Sequence, residues 1–234
     1  MIAEATRPEA LLEKVFPKRR IEKVLLVTPP DADGGMFRFE TAKRGRYANY
    51  PPYGLLVLAH SLRDIGIEVR ALNLNNEILS RVQSASGPED FDFDAVWQES
   101  LDIELAAFRP DLVGVTCMFT MTHASFKAVC ERTAMQGYPV AAGGVHVTND
   151  VDRVLDDIPS IAFAFTNEGD RSLPAFVNVV NGRQDMSALG QVIFNDPASP
   201  DEASRRQRFT ASLQPDEQKI SVIPAYDLID VGEY

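Results

Sequence analysis

Lys23-Val-Leu-Leu-Val-Thr28, followed at once by Pro29-Pro30, decides the fold. Its apolar residues run on without alternation, so neither side of the segment is left for water. That is the pattern of a central strand covered on both faces of a parallel sheet. Outward from it lie four more short apolar runs. They are Ile67-Glu-Val-Arg-Ala-Leu72, Asp111-Leu-Val-Gly-Val-Thr116, Tyr138-Pro-Val-Ala-Ala142 and Ile161-Ala-Phe-Ala-Phe165.

Helical patterns separate these runs. Pro51-Pro52 opens one, since proline is tolerated in a first turn, and Leu55, Leu58, Ala59 and Leu62 give it one apolar stripe before Gly66. Others span Phe93 to Phe108, Met121 to Gln136, Asn149 to Asp157 and Arg171 to Asn181, while Ser80 to Asp92 reads as a loop. Strands alternating with helices predict an α/β fold, a Rossmann-like doubly wound five-stranded parallel sheet in the order 2-1-3-4-5. This domain is expected over residues 23–184, after a leader, 1–22, with a short helix over Pro8 to Val15. Residues 185–234 read as an extension or linker. Its short strands are expected at Gln191 to Asn195, Arg208 to Ser212 and Lys219 to Ile223.

The chain has 234 residues and a formal net charge of -11, a poor match for nucleic acid or an anionic membrane surface. No apolar run approaches the roughly 20 residues that cross a bilayer, and Met1 to Arg20 has no signal-peptide core, so a cytoplasmic location is expected. The two cysteines, Cys117 and Cys130, are too few to hold an iron–sulfur cluster.

The chemistry-bearing segments sit where the predicted strands end. Gly143-Gly144 closes the fourth strand and Asn167-Glu-Gly-Asp170 follows the fifth. Without a Cβ, a glycine lets backbone lie directly against a ligand, although either turn alone also fits a plain βα connection. Cys117-Met-Phe-Thr-Met-Thr-His123, after the third strand, is small, hydroxylated and apolar, and suits a flat buried ligand tail as well as an ordinary helix start. A dinucleotide site would need glycines and free amides directly after the first strand, where Pro29 and Pro30 stand, which argues against NAD and against a P-loop. A flavodoxin phosphate loop is missing there too. A phospho-receiver would want an aspartate closing the third strand, where Thr116 stands.

These segments, in this order and spacing, resemble the cobalamin-binding N-terminal domain of the cobalamin-dependent radical S-adenosylmethionine enzymes. The matching pieces are Lys23 to Pro30, Pro51 to Val69, Arg109 to Thr116, Ala142 to Thr148 and Asn167 to Pro174. Ile223-Pro-Ala-Tyr-Asp-Leu-Ile229 looks like the linker that precedes the radical domain. The resemblance implies a corrin over the carboxyl edge of the sheet, flanked by Pro29, Pro30, Tyr53 and Gly54. It implies a nucleotide tail between the third-strand loop, Thr116, Cys117, Met118, Phe119 and Thr120, and the turn of Gly143, Gly144, His146 and Val147. Glu168 and Gly169 would close the other side.

Two departures matter. Residues Pro29 to Gly34 carry no histidine to ligate cobalt, and of His60, His123 and His146 the last reads better as a hydrogen-bonding group near the ligand. The chain also has no Cys-x-x-x-Cys-x-x-Cys. An iron–sulfur cluster and S-adenosylmethionine would belong to a missing or separate radical domain, its expected partner, and no residue here is expected to be catalytic. The alternatives are a degenerate Rossmann-like interaction module that binds no corrinoid, and a nucleotide- or phosphosugar-binding domain in which Asp31 and Asp33 hold a metal. Asp31 to Arg46 is expected to be disordered until a cofactor or partner covers it.

Overall fold

The computed structural model describes residues 8–199, 205–213 and 223–234. Its strands are β1 (Lys23–Thr28), β2 (Glu68–Asn73), β3 (Leu112–Thr116), β4 (Val140–Gly143), β5 (Ile161–Phe165), β6 (Val192–Asn195) and β7 (Arg206–Phe209). Its α-helices are α1 (Pro8–Val15), α2 (Phe39–Lys43), α3 (Tyr53–Arg63), α4 (Leu74–Ser84), α5 (Phe93–Phe108), α6 (His123–Met135), α7 (Val145–Asn149), α8 (Val151–Asp157) and α9 (Gly169–Val180).

One sheet runs β2-β1-β3-β4-β5-β6-β7. β1 to β5 pair in parallel, and β6 and β7 join antiparallel. The expected five-stranded sheet is therefore corrected to a mixed sheet of seven strands. The reason is the edge that β5 would otherwise expose. Ile161, Phe163, Ala164 and Phe165 are buried, and all four residues of β6 are buried against it. An open apolar edge is an aggregation hazard, and the β6–β7 hairpin moves the edge outward to a charged strand. There Arg206 and Arg208 pair with Asp152 and Asp156 of α8. The strand expected at Lys219 to Ile223 lies outside the described residues, apart from Ile223, which is not in a strand.

The alternation along β1 builds two cores. Val24 and Leu26 face α1, α3 and α9, whereas Leu25 and Val27 face α5, α6 and α8. In the first core Phe16, Phe163, Phe176 and Phe194 form a ring cluster with centroids 4.6–6.2 Å apart. The segment expected to be a leader thus puts Leu11, Leu12 and Phe16 into the core.

Helix α4 occupies part of the expected loop at Ser80 to Asp92. Asn73 caps it, accepting from the backbone N–H of Asn75 and Asn76, and Leu74, Ile78 and Val82 bury one stripe. The long loop before α3 is folded onto it. Lys43 Nζ donates to the carbonyls of Val82, Gln83 and Ala85 at 2.8–3.1 Å, and Phe37 stacks on Tyr47 and packs against Phe91 and Phe93. The expectation that Asp31 to Arg46 is disordered alone is corrected by these contacts. The C-terminal segment is docked as well: Ala225 N–H donates to Leu56 O, and Arg63 pairs with both carboxylate oxygens of Asp227.

Candidate functional site at the carboxyl edge

Register places the site residues. Thr116 lies opposite Gly143, and Val115 opposite Val27, so Thr28, Thr116 and Gly143 end three adjacent strands side by side. The two-residue period turns all three to the face shared with Leu26, Ala141 and Phe165, under α3 and α9. Thr28 Oγ1 is buried and has no hydrogen-bond partner among the described residues. A buried hydroxyl left unpaired costs about 1–3 kcal/mol, so this atom is available to a water or a ligand at the strand edge. A Cβ on Gly143 would have ordinary contacts only, 3.8 Å from Phe165 O, and one on Gly54 would meet nothing within 4 Å.

Gly144 differs. Its φ of 106° and ψ of 173° belong to a region that only glycine occupies easily. A Cβ there would lie 2.5 Å from Cys117 O and 2.9 Å from Thr116 Oγ1. The third-strand loop and the glycine turn are bonded to each other: Cys117 N–H donates to Gly143 O at 2.8 Å and His146 N–H to Cys117 O at 3.1 Å. Gly144 is thus accounted for by the chain's own packing. Gly143 has room for a methyl group against Phe165, and open space adjoins Gly54.

The remaining expected residues divide into two groups. Tyr53, Gly54, Met118, Phe119, Thr120 and Glu168 are exposed at the edge, and Thr116 and Gly169 are half-buried. Cys117 and Val147 are buried in the core on the α5 and α6 side, and Pro29 and Pro30 are buried below the edge. Burial raises the Cys117 thiol, so it is no ready thiolate. Residues outside the expected set complete the rim. Met36, Tyr50, Met121 and Val145 are exposed apolar side chains, as are Tyr53, Met118 and Phe119, all on loops or helix starts that follow β1, β3 and β4. Apolar side chains facing water together on one edge mark a surface that a ligand or partner covers. The loops after β1 and β3 could have been scanned for these side chains in the sequence.

A polar chain crosses the same rim. Thr120 Oγ1 is 3.1 Å from His146 Nδ1, His146 Nε2 is 2.9 Å from His123 Nδ1, and His123 Nε2 is 2.8 Å from Asp157 Oδ2. Lys127 Nζ holds the other oxygen of Asp157 at 2.8 Å. Burial first, and then neighbouring His123, push His146 below the usual histidine range. Hydrogen bonds from Lys127 and His123 lower the Asp157 carboxyl. His60 is elsewhere, beside Asp64 on α3. Among the described residues no group of three or more His, Cys, Asp or Glu could hold a metal ion, and no helix is long and apolar enough to cross a membrane.

The donor set fits a large ligand with apolar faces and hydrogen-bonding arms: a hydroxyl unpaired among the described residues, a glycine beside open space and exposed apolar side chains. Comparisons agree on the class. No curated protein matches the chain. Two solved structures of the radical S-adenosylmethionine methyltransferase TsrM from Kitasatospora setae share its fold. One, with tryptophan substrate and an S-adenosylmethionine analogue bound, gives a TM-score of 0.58 at 20% identity over 81% of this chain. The other, with cobalamin and a [4Fe-4S] cluster bound, gives 0.55 at 20% identity over 76%. The chain spans about 30% of the length of those structures. The family model for the B12 binding domain matches residues 44–177, which include β3, β4 and the whole polar relay. With more than half of its residues inside that match, the chain belongs to the B12 binding domain family.

Proposed function

We propose that the carboxyl edge holds cobalamin, as methylcobalamin, and that this chain is the cofactor-holding module of a radical S-adenosylmethionine methyltransferase or related cytoplasmic enzyme. The observation that carries the proposal is the buried Thr28 hydroxyl, without a partner among the described residues, at the strand edge whose loops carry exposed apolar side chains. Tyr53, Met118 and Phe119 would cover the corrin. Thr28, Thr116 and Gly143 would meet its tail on the α3 and α9 face, with Gly54, Glu168 and Gly169 at the mouth. When bound, the cofactor supplies methyl-group chemistry, and the chain's residues orient it and exclude water. The catalytic partner, with the cluster and S-adenosylmethionine, is a separate or continuing radical domain.

The test is an absorbance spectrum after incubation with hydroxocobalamin and desalting. Stoichiometric corrin bands support the proposal, and a colourless chain under oxidising and reducing conditions alike would overturn it.

One observation favours a second function, a corrinoid-free interaction module. The third-strand loop and the Gly143-Gly144 turn are hydrogen-bonded together, which closes the passage between them. The two proposals part at Gly143: a side chain there blocks a cofactor tail but leaves a protein-docking rim intact.

A further inference from the structure

Four side chains form a continuous line from the rim to the outer surface, and its polarity follows from chemistry. The line starts at Asp157, whose carboxylate oxygens only accept hydrogen bonds when ionised. Asp157 Oδ2 therefore takes the Nε2 proton of His123, at 2.8 Å. Neutral imidazole carries one N–H, so His123 Nδ1 is left bare and accepts. Its donor is His146 Nε2 at 2.9 Å. By the same rule His146 Nδ1 is bare, and it accepts the hydroxyl proton of Thr120 at 3.1 Å. Thr120 is exposed, on the loop after β3, between the apolar side chains of Phe119 and Met121.

We propose that this relay fixes Thr120 as a hydrogen-bond acceptor subsite on the rim, selecting a ligand group that donates, an amide N–H or a hydroxyl. With its own proton committed to His146, the Thr120 oxygen offers lone pairs only. His146, His123 and Asp157 are positioning residues: they act through Thr120 and touch no ligand themselves. The inference rests on the proposed cofactor edge for the identity of the ligand, since a corrin carries peripheral carboxamides whose N–H groups are donors of this class. The polarity of the relay rests on this chain's residues alone.

The closing experiment separates the two. The first arm uses the ligand-free chain with 15N-labelled histidine at neutral pH. The expected long-range 1H–15N spectrum shows both His146 and His123 protonated at Nε2. Asp157→Ala relaxes the His123 tautomer, and Thr120→Val shifts His146 Nδ1 towards an unbonded acceptor, with Thr120→Ser restoring it. A proton on Nδ1 of His146 overturns the proposal. The second arm compares hydroxocobalamin affinity by equilibrium dialysis. Thr120→Val is expected to bind on the order of fivefold more weakly, the worth of one net hydrogen bond, and Thr120→Ser to recover it. Equal affinity of Thr120→Val and the parent chain overturns the acceptor role. A parent chain that retains no hydroxocobalamin overturns the cofactor assignment, and with it this choice of ligand. The tautomers still decide the polarity.

Discussion

The carbonyl oxygen of Cys117 stands 2.5 Å from the point where a Cβ on Gly144 would lie. The hydrogen bonds from Cys117 N–H to Gly143 O and from His146 N–H to Cys117 O join the end of β3 to the turn after β4, and the lack of space at Gly144 alone separates the two glycines by function. Gly144→Ala must move backbone and hold a strained φ, which alone costs about 1–3 kcal/mol. Urea unfolding is expected to show at least that loss. Gly143→Ala has room for its methyl group, 3.8 Å from Phe165 O, and is expected to unfold like the parent. The same variant is expected to retain less hydroxocobalamin, because the methyl group enters the face assigned to the tail. Parent-like retention would favour the corrinoid-free module.

Acid is expected to weaken the fold through His146. His146 on α7 faces His123 of α6 and Thr120, with Asp150 and Arg153 nearby, and Asp157 with Lys127 beyond His123. Its folded value lies below the ordinary histidine value near 6.5. The unfolded chain therefore binds more protons in that window, and stability rises with pH through it. As pH falls from about 6.5 towards the folded value, this contribution is lost. Asp157, also lowered, acts in the same direction at more acid pH. Chemical denaturation between pH 5 and 8 should show the slope, and His146→Gln should flatten it. An unchanged slope would assign it to other groups.

Phe163 is fully buried and lies 4.6 Å from Phe176, 5.0 Å from Phe194 and 5.7 Å from Phe16 by ring centroid. Phe163→Ala is expected to cost about 3–5 kcal/mol, as large core truncations do. Because Phe16 and Phe194 flank this ring, the loss should loosen the N-terminal helix and the β6–β7 hairpin together. Hydrogen exchange at residues 11–16 and 192–195 would read it.

Lys43 ties the loop before α3 to the C-terminal end of α4 through three carbonyls. Cations at helix C-termini bond the free carbonyls and oppose the negative end of the dipole. Lys43→Met should cost about 1 kcal/mol globally and release the loop locally. Limited proteolysis should then cut between residues 31 and 50. Equal protection in parent and variant would assign the anchoring to the packing of Phe37 on Phe91 and Phe93.

Much of the fold was legible in the sequence because parallel strands and their helices have local signatures. Ile161–Phe165 and Phe93–Phe108 fall where the apolar patterns predicted. Helix α4 was hidden by its composition: Leu74-Asn-Asn-Glu77 looks like loop until Asn73 is seen as a cap. The Tyr138 to Thr148 segment showed a glycine turn, but not that a Cβ on Gly144 would collide with Cys117 O while one on Gly143 has room. That difference lies in the end of the neighbouring strand, β3, whose Cys117 and Thr116 stand against Gly144.

By itself the sequence determined the strand-and-helix alternation, the two buried faces of β1 and the family resemblance, since each resides in the order of apolar and turn residues along a few local segments. Only the tertiary structure decided that β6 and β7 complete the sheet, that Thr28 Oγ1 is left without a partner among the described residues and that His146, His123 and Asp157 stand in line. Those are long-range facts. They follow from which elements are packed side by side, and hydrogen-bond direction and burial are properties of that packing, not of any one segment.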